Sequence, residues 1–323
     1  MKAVFIEQPG GIDAMRYGDL PTPQPGPGEV LVKIAYSGVN FIDTYHRSGL
    51  YKLPLPAVIG SEASGTVEKL GDGVTGFKPG DRVAYTLARG SYAEFQAVPA
   101  TQLVKTPDNV EDATAAASML QGCTAHYLTH STFPLKKGQT ALVHAAAGGT
   151  GRLIVQMAAM IGARVIATVG SEAKAKLTLG DGASDAILYN SLDFVAEVKR
   201  LTDGKGVEVV YDGVGQATLL KGFDCLKPRG MMVAFGNASG PAAPVDLLLL
   251  SQKGSLYVTR PTLFTYIASR EDLEWRSSDM FRWIGEGKLK INIDKVYPLS
   301  EAAQAHGDLE GRKTTGKLLL KIA

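Results

Sequence analysis

Residues 140–151 read T-A-L-V-H-A-A-A-G-G-T-G, a short apolar run that breaks into small residues and glycines. Directly after it, Leu153, Gln156, Met157 and Met160 fall at i, i+3, i+4 and i+7, the spacing of one helical face. Strand, Gly-rich turn and helix, in that order, put unpartnered backbone N–H groups at a helix N-terminus, where they can hold a pyrophosphate. The spacing of Gly148, Gly149 and Gly151 is G-G-x-G, so the G-x-G-x-x-G fingerprint is not met. Small residues at such a junction also serve close helix packing, and the turn alone implies only a nucleotide.

Outward from the turn, strand and helix patterns alternate. Strands are expected at Ala141–His144, Arg164–Val169, Ala186–Tyr189, Val207–Asp212 and Met231–Gly236. Helices are expected at Arg152–Ile161, Ala173–Leu179, Phe194–Leu201 and Ala217–Leu226. This alternation predicts a doubly wound parallel sheet of Rossmann type, covered on both faces. Before it, Glu29–Ser37, Ala63–Leu70 and Arg82–Thr86 alternate like half-buried strands, cut by Pro25-Gly26-Pro27-Gly28, Gly71-Asp72-Gly73 and Lys78-Pro79-Gly80-Asp81. That punctuation predicts a mostly antiparallel, barrel-like domain. An Ala-rich helix follows over Glu111–Leu128. After Pro261 come a helical stretch, a strand at Asn292–Tyr297, a helix from Ser300 to Leu309 and a strand at Lys317–Ile322. That tail is too short to fold alone and is expected to return to the first domain. The expected division is 1–122 with 263–323, and 123–262.

Composition sets the class. The 323 residues are 45% hydrophobic and 20% charged, with 34 basic against 32 acidic side chains, so no single-sign block predicts a nucleic-acid or membrane surface. The 37 glycines suit a turn-rich chain. Met1 leads straight into Lys2-Ala3-Val4-Phe5-Ile6, with no leader-like pattern. The later apolar run Val245–Leu250 is far short of the ~20 residues of a membrane span. A soluble cytoplasmic protein is expected. Cys123 and Cys225, the only cysteines, allow neither a disulfide framework nor a four-thiolate zinc site, and suit buried apolar positions.

The end of the second strand bears on which nucleotide is bound. A site selective for NAD usually places Asp or Glu ~20 residues after the turn, on the ribose 2′-OH. Here the strand ends Ala167-Thr168-Val169-Gly170-Ser171, with Lys174 one helical turn on. Ser171 can donate a hydrogen bond and Lys174 offers a cation, a setting for a 2′-phosphate. Glu172 suits the helix start and is expected to face outward. Lys174 also has the plainer reading of a solvated helix face. NADPH is favoured over NADH.

Four stretches carry a resemblance: N-F-I-D-T-Y-H-R-S-G-L-Y at 40–51, H-A-A-A-G-G-T-G at 144–151, V-V-Y-D-G-V-G at 209–215 and G-S-L-Y-V-T-R-P at 254–261. With them the chain resembles, over essentially its whole length, the zinc-free quinone oxidoreductases (zeta-crystallin type) of the medium-chain dehydrogenase/reductase superfamily, the bacterial members above all. The resemblance implies a GroES-like catalytic domain and a Rossmann NADPH-binding domain. It implies NADPH-dependent reduction of quinones, by one electron to the semiquinone, with α,β-unsaturated aldehydes or ketones as the alternative acceptors. Zinc-dependent relatives keep a Cys in the first loop and a His before the Glu of the second. Here Ser37 and Asn40 stand in the Cys region and Ser61 in place of the His, and no metal is expected.

By the same resemblance Asn40, Phe41, Asp43 and Tyr45 would line the nicotinamide and substrate cleft. Tyr45, then Asn40, would donate to the acceptor oxygen, although a buried Asn or Tyr equally satisfies local backbone. Gly148, Gly149, Thr150 and Gly151 would receive the pyrophosphate. Gly170, Ser171, Lys174, Tyr189 and Arg312 would surround the 2′-phosphate. Phe235, Gly236 and Asn237 would approach the nicotinamide ribose. Arg260 would stand at the cleft mouth and take part in catalysis, or else form an interdomain ion pair. Thr150 and Arg152 depart from the usual apolar residues of the turn; Arg152 puts a cation near the pyrophosphate or in solvent. A homodimer paired through the edge Gly254–Thr259 is implied, with a tetramer as the alternative. Members of this family also appear as lens crystallins and RNA binders, but near-neutral charge and the lack of an aromatic-basic stripe oppose dedicated RNA binding.

Overall fold

In the computed structural model, which describes residues 1–311 and 314–322, the glycine-rich stretch folds as the strand Thr140–Val143 and the helix Gly149–Ile161. They belong to one of two units, Thr124–Tyr266; the other joins Met1–Cys123 with Ile267–Ala323.

The first of these units is built on a six-stranded, all-parallel sheet. In spatial order its strands are Asp185–Leu188, Arg164–Val169, Thr140–Val143, Val207–Asp212, Leu226–Ala234 and Tyr257–Thr259. The order reverses beside Thr140–Val143, the switch point at which open α/β sheets bind ligands. The strands are nearly continuous apolar runs because both faces are covered. Leu142, Ile166, Val210 and Met232 pack with Phe194 and Phe223.

Most boundaries shift by one to three residues, and the last helix and strand of the series shift most. The last helix expected in this series shrinks to Leu219–Gly222 and a 3-10 turn, Phe223–Cys225, because Leu226 is drawn into the sheet opposite Val207. That strand therefore starts five residues before Met231. Pro228, Arg229 at φ 62° and Gly230 had hidden it, as none of the three reads as strand.

The other unit holds a three-stranded sheet (Met15–Asp19, Lys2–Ile6, Ala57–Val58) and a seven-stranded one. The latter runs Ile293–Pro298, Lys317–Lys321, Glu29–Val39, Glu62–Leu70, Arg82–Thr86 and Leu103–Lys105, with Phe95–Pro99 also paired to Glu29–Val39. Every pair except Ile293–Pro298 with Lys317–Lys321 is antiparallel, the GroES-like pattern. The tail strand Lys317–Lys321 lies against the end of the long strand, Leu318 opposite Val39 and Leu320 opposite Ser37. Gly65 sits opposite Ile34 where strands come closest; a Cβ there would strike Lys33 O and stand 2.9 Å from Ile34 Cα.

The long strand matters most for position. It delivers the chain at Asn40 to the helix Phe41–Ser48, which Gly49 ends in the left-handed conformation, φ 83°. Among the described residues no helix is long and apolar enough to cross a membrane.

Candidate functional site

The glycine turn presents the donors expected of it. The first bond inside the helix runs from Arg152 N–H to Gly148 O at 2.9 Å, so the N–H groups of Gly149, Thr150 and Gly151 are those a helix start leaves for an outside acceptor. Glycine is required at Gly151, where a Cβ would strike Ala145 O and lie 2.8 Å from Ala146 Cα. Arg152 is not in open solvent, its side chain being 11% exposed. It clasps Asp181 with two bonds, 2.5 and 2.9 Å, tying this helix to the end of the helix Glu172–Gly180.

At the tip of Arg164–Val169, Gly170 and Tyr189 come together, with Ser171 and the main chain of Lys174 at the start of the next helix. Ser171 caps the next helix, its Oγ accepting from Lys174 N–H at 3.4 Å. A Cβ on Gly170 would lie 2.8 Å from the Tyr189 hydroxyl oxygen. Asn190, which the sequence did not single out, donates to Gly170 O at 2.8 Å. Tyr189 is 44% exposed, so its hydroxyl can meet a ligand. Arg312 lies outside the described residues.

Beyond Ala234 the chain runs Phe235-Gly236-Asn237 against Gly213, whose carbonyl a Cβ on Gly236 would strike. Arg260 Nη1 donates to Ala234 O at 2.8 Å and Gly236 O at 3.2 Å. With its amide oriented so that both ends are satisfied, Asn237 accepts from Arg260 Nη2 at 3.2 Å. Arg260 thus clamps this segment within its own unit. Asp212, passed over in the sequence, organises the facing turn by accepting from Val214 N–H, Gly215 N–H and Thr218 Oγ1.

The helix Phe41–Ser48 has one wet face and one buried face. Phe41, Tyr45 and Tyr51 form a half-exposed aromatic group, with ring centroids 6.3 Å apart for the first pair and 5.4 Å, edge-on, for the second. Asn40 is a different matter. It is 3% exposed; its amide donates to Glu62 Oε1 at 2.7 Å and accepts from Lys317 Nζ at 2.6 Å and Gln121 Nε2 at 3.3 Å. Lys317 also pairs with Glu62, both fully buried, and Glu62 Oε2 accepts Leu120 N–H at 2.6 Å. Burial lowers the Lys317 pKa while the Glu62 charge opposes the shift. Asn40 is therefore committed to a buried ionic cluster.

Asp43 ends a second buried chain. Its carboxylate accepts from Ser61 Oγ at 2.6 Å, Asn40 N–H at 2.9 Å and the Tyr92 hydroxyl at 3.3 Å. Tyr92 in turn meets His306 Nε2 at 3.0 Å, and Arg47 Nη1 lies 3.1 Å from His306 Nδ1. An arginine can only donate, so Nδ1 accepts and Nε2 carries the proton. Arg47 is anchored by Glu310 at 2.8 Å. Burial pushes Asp43 up to about 7 against those donors, and holds His306 down at about 3.

These shifts fix a pH response. Burial also lowers His46 to about 4. The unfolded chain protonates its histidines near 6.5, so the stability held by neutral His46 and His306 is present above ~6.5 and lost as pH falls toward 4. Asp43 acts oppositely, its cost growing as pH rises from about 4 to about 7. Two histidines outweigh one carboxyl, and acidification from pH 6.5 to 4.5 destabilises the fold. In His306→Gln the amide oxygen accepts from Arg47 and the amide nitrogen donates to Tyr92 without titrating. Denaturant unfolding across that range should give a pH slope shallower by one proton, about 1.4 kcal/mol per pH unit; an unchanged slope contradicts the assignment.

Residues 26–108 match the alcohol dehydrogenase GroES-like domain and residues 182–320 the zinc-binding dehydrogenase family. A quinone oxidoreductase of Pseudomonas aeruginosa is 47% identical over 313 residues, 96% of each chain. A 2-haloacrylate reductase of a Burkholderia species is 42% identical over 327 residues, 98% of each chain. The crystal structure of Escherichia coli quinone oxidoreductase complexed with NADPH is 42% identical and superposes with a TM-score of 0.98 over the whole of both chains. Similarity of this extent, joined to the two-unit fold, shows that the chain belongs to the quinone oxidoreductase family of the medium-chain dehydrogenase/reductase superfamily.

Proposed function

We propose that this chain is an NADPH-dependent oxidoreductase that reduces quinones without a catalytic metal. The observation that carries the reading is the strand tip at Gly170-Ser171, which has no carboxylate of its own, brings the Tyr189 hydroxyl to Gly170, and has Ser171 capping the helix on whose first turn Lys174 stands. A 2′-phosphate needs that combination of a cation, hydroxyl donors and no opposing charge. The Escherichia coli relative complexed with NADPH and the relatives named quinone oxidoreductase support cofactor and acceptor alike.

Thr124–Tyr266 is the NADPH-binding unit in this reading, and the unit of Met1–Cys123 and Ile267–Ala323 carries the acceptor-binding helix. Bound NADPH supplies hydride. The N–H groups of Gly149, Thr150 and Gly151 hold the pyrophosphate, and Gly148 gives the chain its entry into the helix. Arg260 positions Phe235-Gly236-Asn237 for the nicotinamide ribose. The aromatic face of Phe41 and Tyr45 receives a flat acceptor, and the Tyr45 hydroxyl donates to its developing oxyanion. Asn40 and Asp43 shape the helix from behind.

The side chains do not fit zinc. Ser37 Oγ is spent on Glu62 O and Ser91, and Ser61 on Asp43. Glu62 is already paired with an ammonium. Among the described residues no three His, Cys, Asp or Glu are grouped to hold a metal. Quinones, being electron-poor, need less help than alcohols, for which an alkoxide must be stabilised. The 2-haloacrylate reductase favours a second reading, reduction of α,β-unsaturated acceptors at the same site. Two buried free cysteines suit a reducing cytoplasm.

Steady-state kinetics test the reading. Wild type should prefer NADPH to NADH and turn over 9,10-phenanthrenequinone faster than a simple enone. Lys174→Ala should raise KM for NADPH about tenfold with little change for NADH, and Tyr45→Phe should lower kcat. Retained NADPH preference in Lys174→Ala sinks the phosphate site; equal or faster enone turnover sinks the quinone assignment.

We also infer a homodimer. Tyr257–Thr259 ends the parallel sheet, paired on one side only, and Leu247, Leu248 and Phe264 of the same unit are 75%, 59% and 68% exposed. An uncovered strand edge with apolar neighbours suits a second copy of itself. Sedimentation should give twice the chain mass, and Leu247→Glu with Leu248→Glu half of that; a wild-type monomer contradicts it.

A further inference from the structure

The loop at 87–91, L-A-R-G-S, borders the helix Phe41–Ser48 and has no part in the mechanism above. Its backbone is pinned. Leu87 N–H donates to Ser61 O at 2.6 Å, Gly90 N–H to Gly60 O at 2.9 Å, and Gln96 Nε2 to Arg89 O at 2.8 Å. Ser91 Oγ meets Ser37 Oγ at 2.7 Å. Leu87 at φ 65° and Gly90 at φ 113° make the bend. Ser61, whose carbonyl holds Leu87, and Tyr92, which follows the loop in sequence, both donate to Asp43 of the helix. Loop and helix thus share their anchors.

Arg89 stands exposed at the loop tip, and its guanidinium makes no ion pair or hydrogen bond with any described residue. Its field reaches the imidazole of His46. His46 meets Tyr51 edge-on at 6.1 Å, and Tyr51 meets Tyr45 at 5.4 Å, so the three rings are contiguous and the loop that carries Arg89 shares its anchors with the helix that carries them. Stretches 44–61 and 83–93 contain no Asp or Glu, and their cations are Arg47, Lys52 and Arg89. Arg47 is neutralised by Glu310. The carboxylates of Asp43 and Glu62 are buried behind the helix, Glu62 against Lys317, and Glu94 accepts Lys2 N–H at 2.7 Å. The two stretches themselves therefore carry net positive charge through Lys52 and Arg89.

We propose that Arg89 is a specificity residue, selecting acceptors that carry an anionic substituent such as a carboxylate or sulfonate. The proposal rests on the reading of Phe41 and Tyr45 as the acceptor face, which the edge-on ring of Tyr51 extends toward the loop. A flat ring on Tyr45 and Tyr51 directs a charged substituent toward the fixed loop, where a guanidinium can meet it with paired donors. Arg89 has no place in holding the fold, so its removal leaves neutral acceptors unaffected.

The test compares kcat/KM for 1,4-naphthoquinone-2-sulfonate with that for 1,4-naphthoquinone, both with NADPH. The ratio between variants cancels the different intrinsic reactivities. Arg89→Ala should lower the ratio about fivefold, the size of an exposed ion pair, acting through KM. Arg89→Glu should lower it further and Arg89→Lys should keep most of it. At ~1 M salt, where screening acts within ~3 Å, the variants should converge. An unchanged ratio in Arg89→Glu, or equal loss on both quinones, overturns the proposal. Equilibrium binding of anthraquinone-2-sulfonate requires no turnover and separates the two claims: weaker binding in Arg89→Glu upholds Arg89 even if no quinone is reduced, and equal binding overturns it.

Discussion

The buried ion pair between Lys317 and Glu62 is the interaction on which the geometry of the unit Met1–Cys123 with Ile267–Ala323 depends. Its partners lie 255 residues apart and both are fully buried. Desolvating two such charges costs several kcal/mol each, and the cost is offset only when every remaining polar atom is satisfied. Asn40, Gln121 and Leu120 N–H supply that satisfaction. The cluster thereby joins the end of strand Glu29–Val39, the start of Glu62–Leu70, the start of Lys317–Lys321 and the helix Asp112–Tyr127. Losing one partner would leave a buried charge, at about 3–5 kcal/mol. Because Asn40 is locked into it, the helix that begins at Phe41 starts from a fixed point.

A second fixed line runs through the same helix. Asp43 and Arg47 are one turn apart on its buried side, and His306 and Tyr92 bridge them with every donor and acceptor determined. The opposite face is left to Phe41 and Tyr45. Rigid support behind and aromatic surface in front is the arrangement a site needs when it must hold a flat acceptor without a metal to draw it in. In the unit Thr124–Tyr266, Arg152 with Asp181 and Arg260 with Ala234 and Gly236 likewise tie a helix and a loop in place.

Local patterns made the parallel sheet legible. Arg164–Val169, Val207–Asp212 and Phe194–Leu201 fall on the residues that periodicity indicated. The glycine turn was legible for the same reason, since strand, turn and helix are adjacent in sequence. The strand Leu226–Ala234 was half hidden because Pro228 and Gly230 carry local signals that a neighbouring strand overrides. The buried clusters were not legible at all. Lys317 reads as an ordinary charge at the head of an apolar run, and only the antiparallel return of that strand sets it beside Glu62. Asn40 reads as a donor from its residue type, and no local pattern announces its partners, which lie 22 to 277 residues away. Arg260 likewise had two plausible partners in sequence, and backbone carbonyls that no pattern announces are the ones it takes.

The central claim is that protein side chains and cofactor complete this chemistry with no metal. The most direct measurement is metal content by atomic emission alongside NADPH-dependent quinone turnover, before and after dialysis against 1,10-phenanthroline. Unchanged turnover from protein holding far less than one metal per chain is the result expected. A stoichiometric metal, with turnover lost on its removal and restored on its return, would contradict the account.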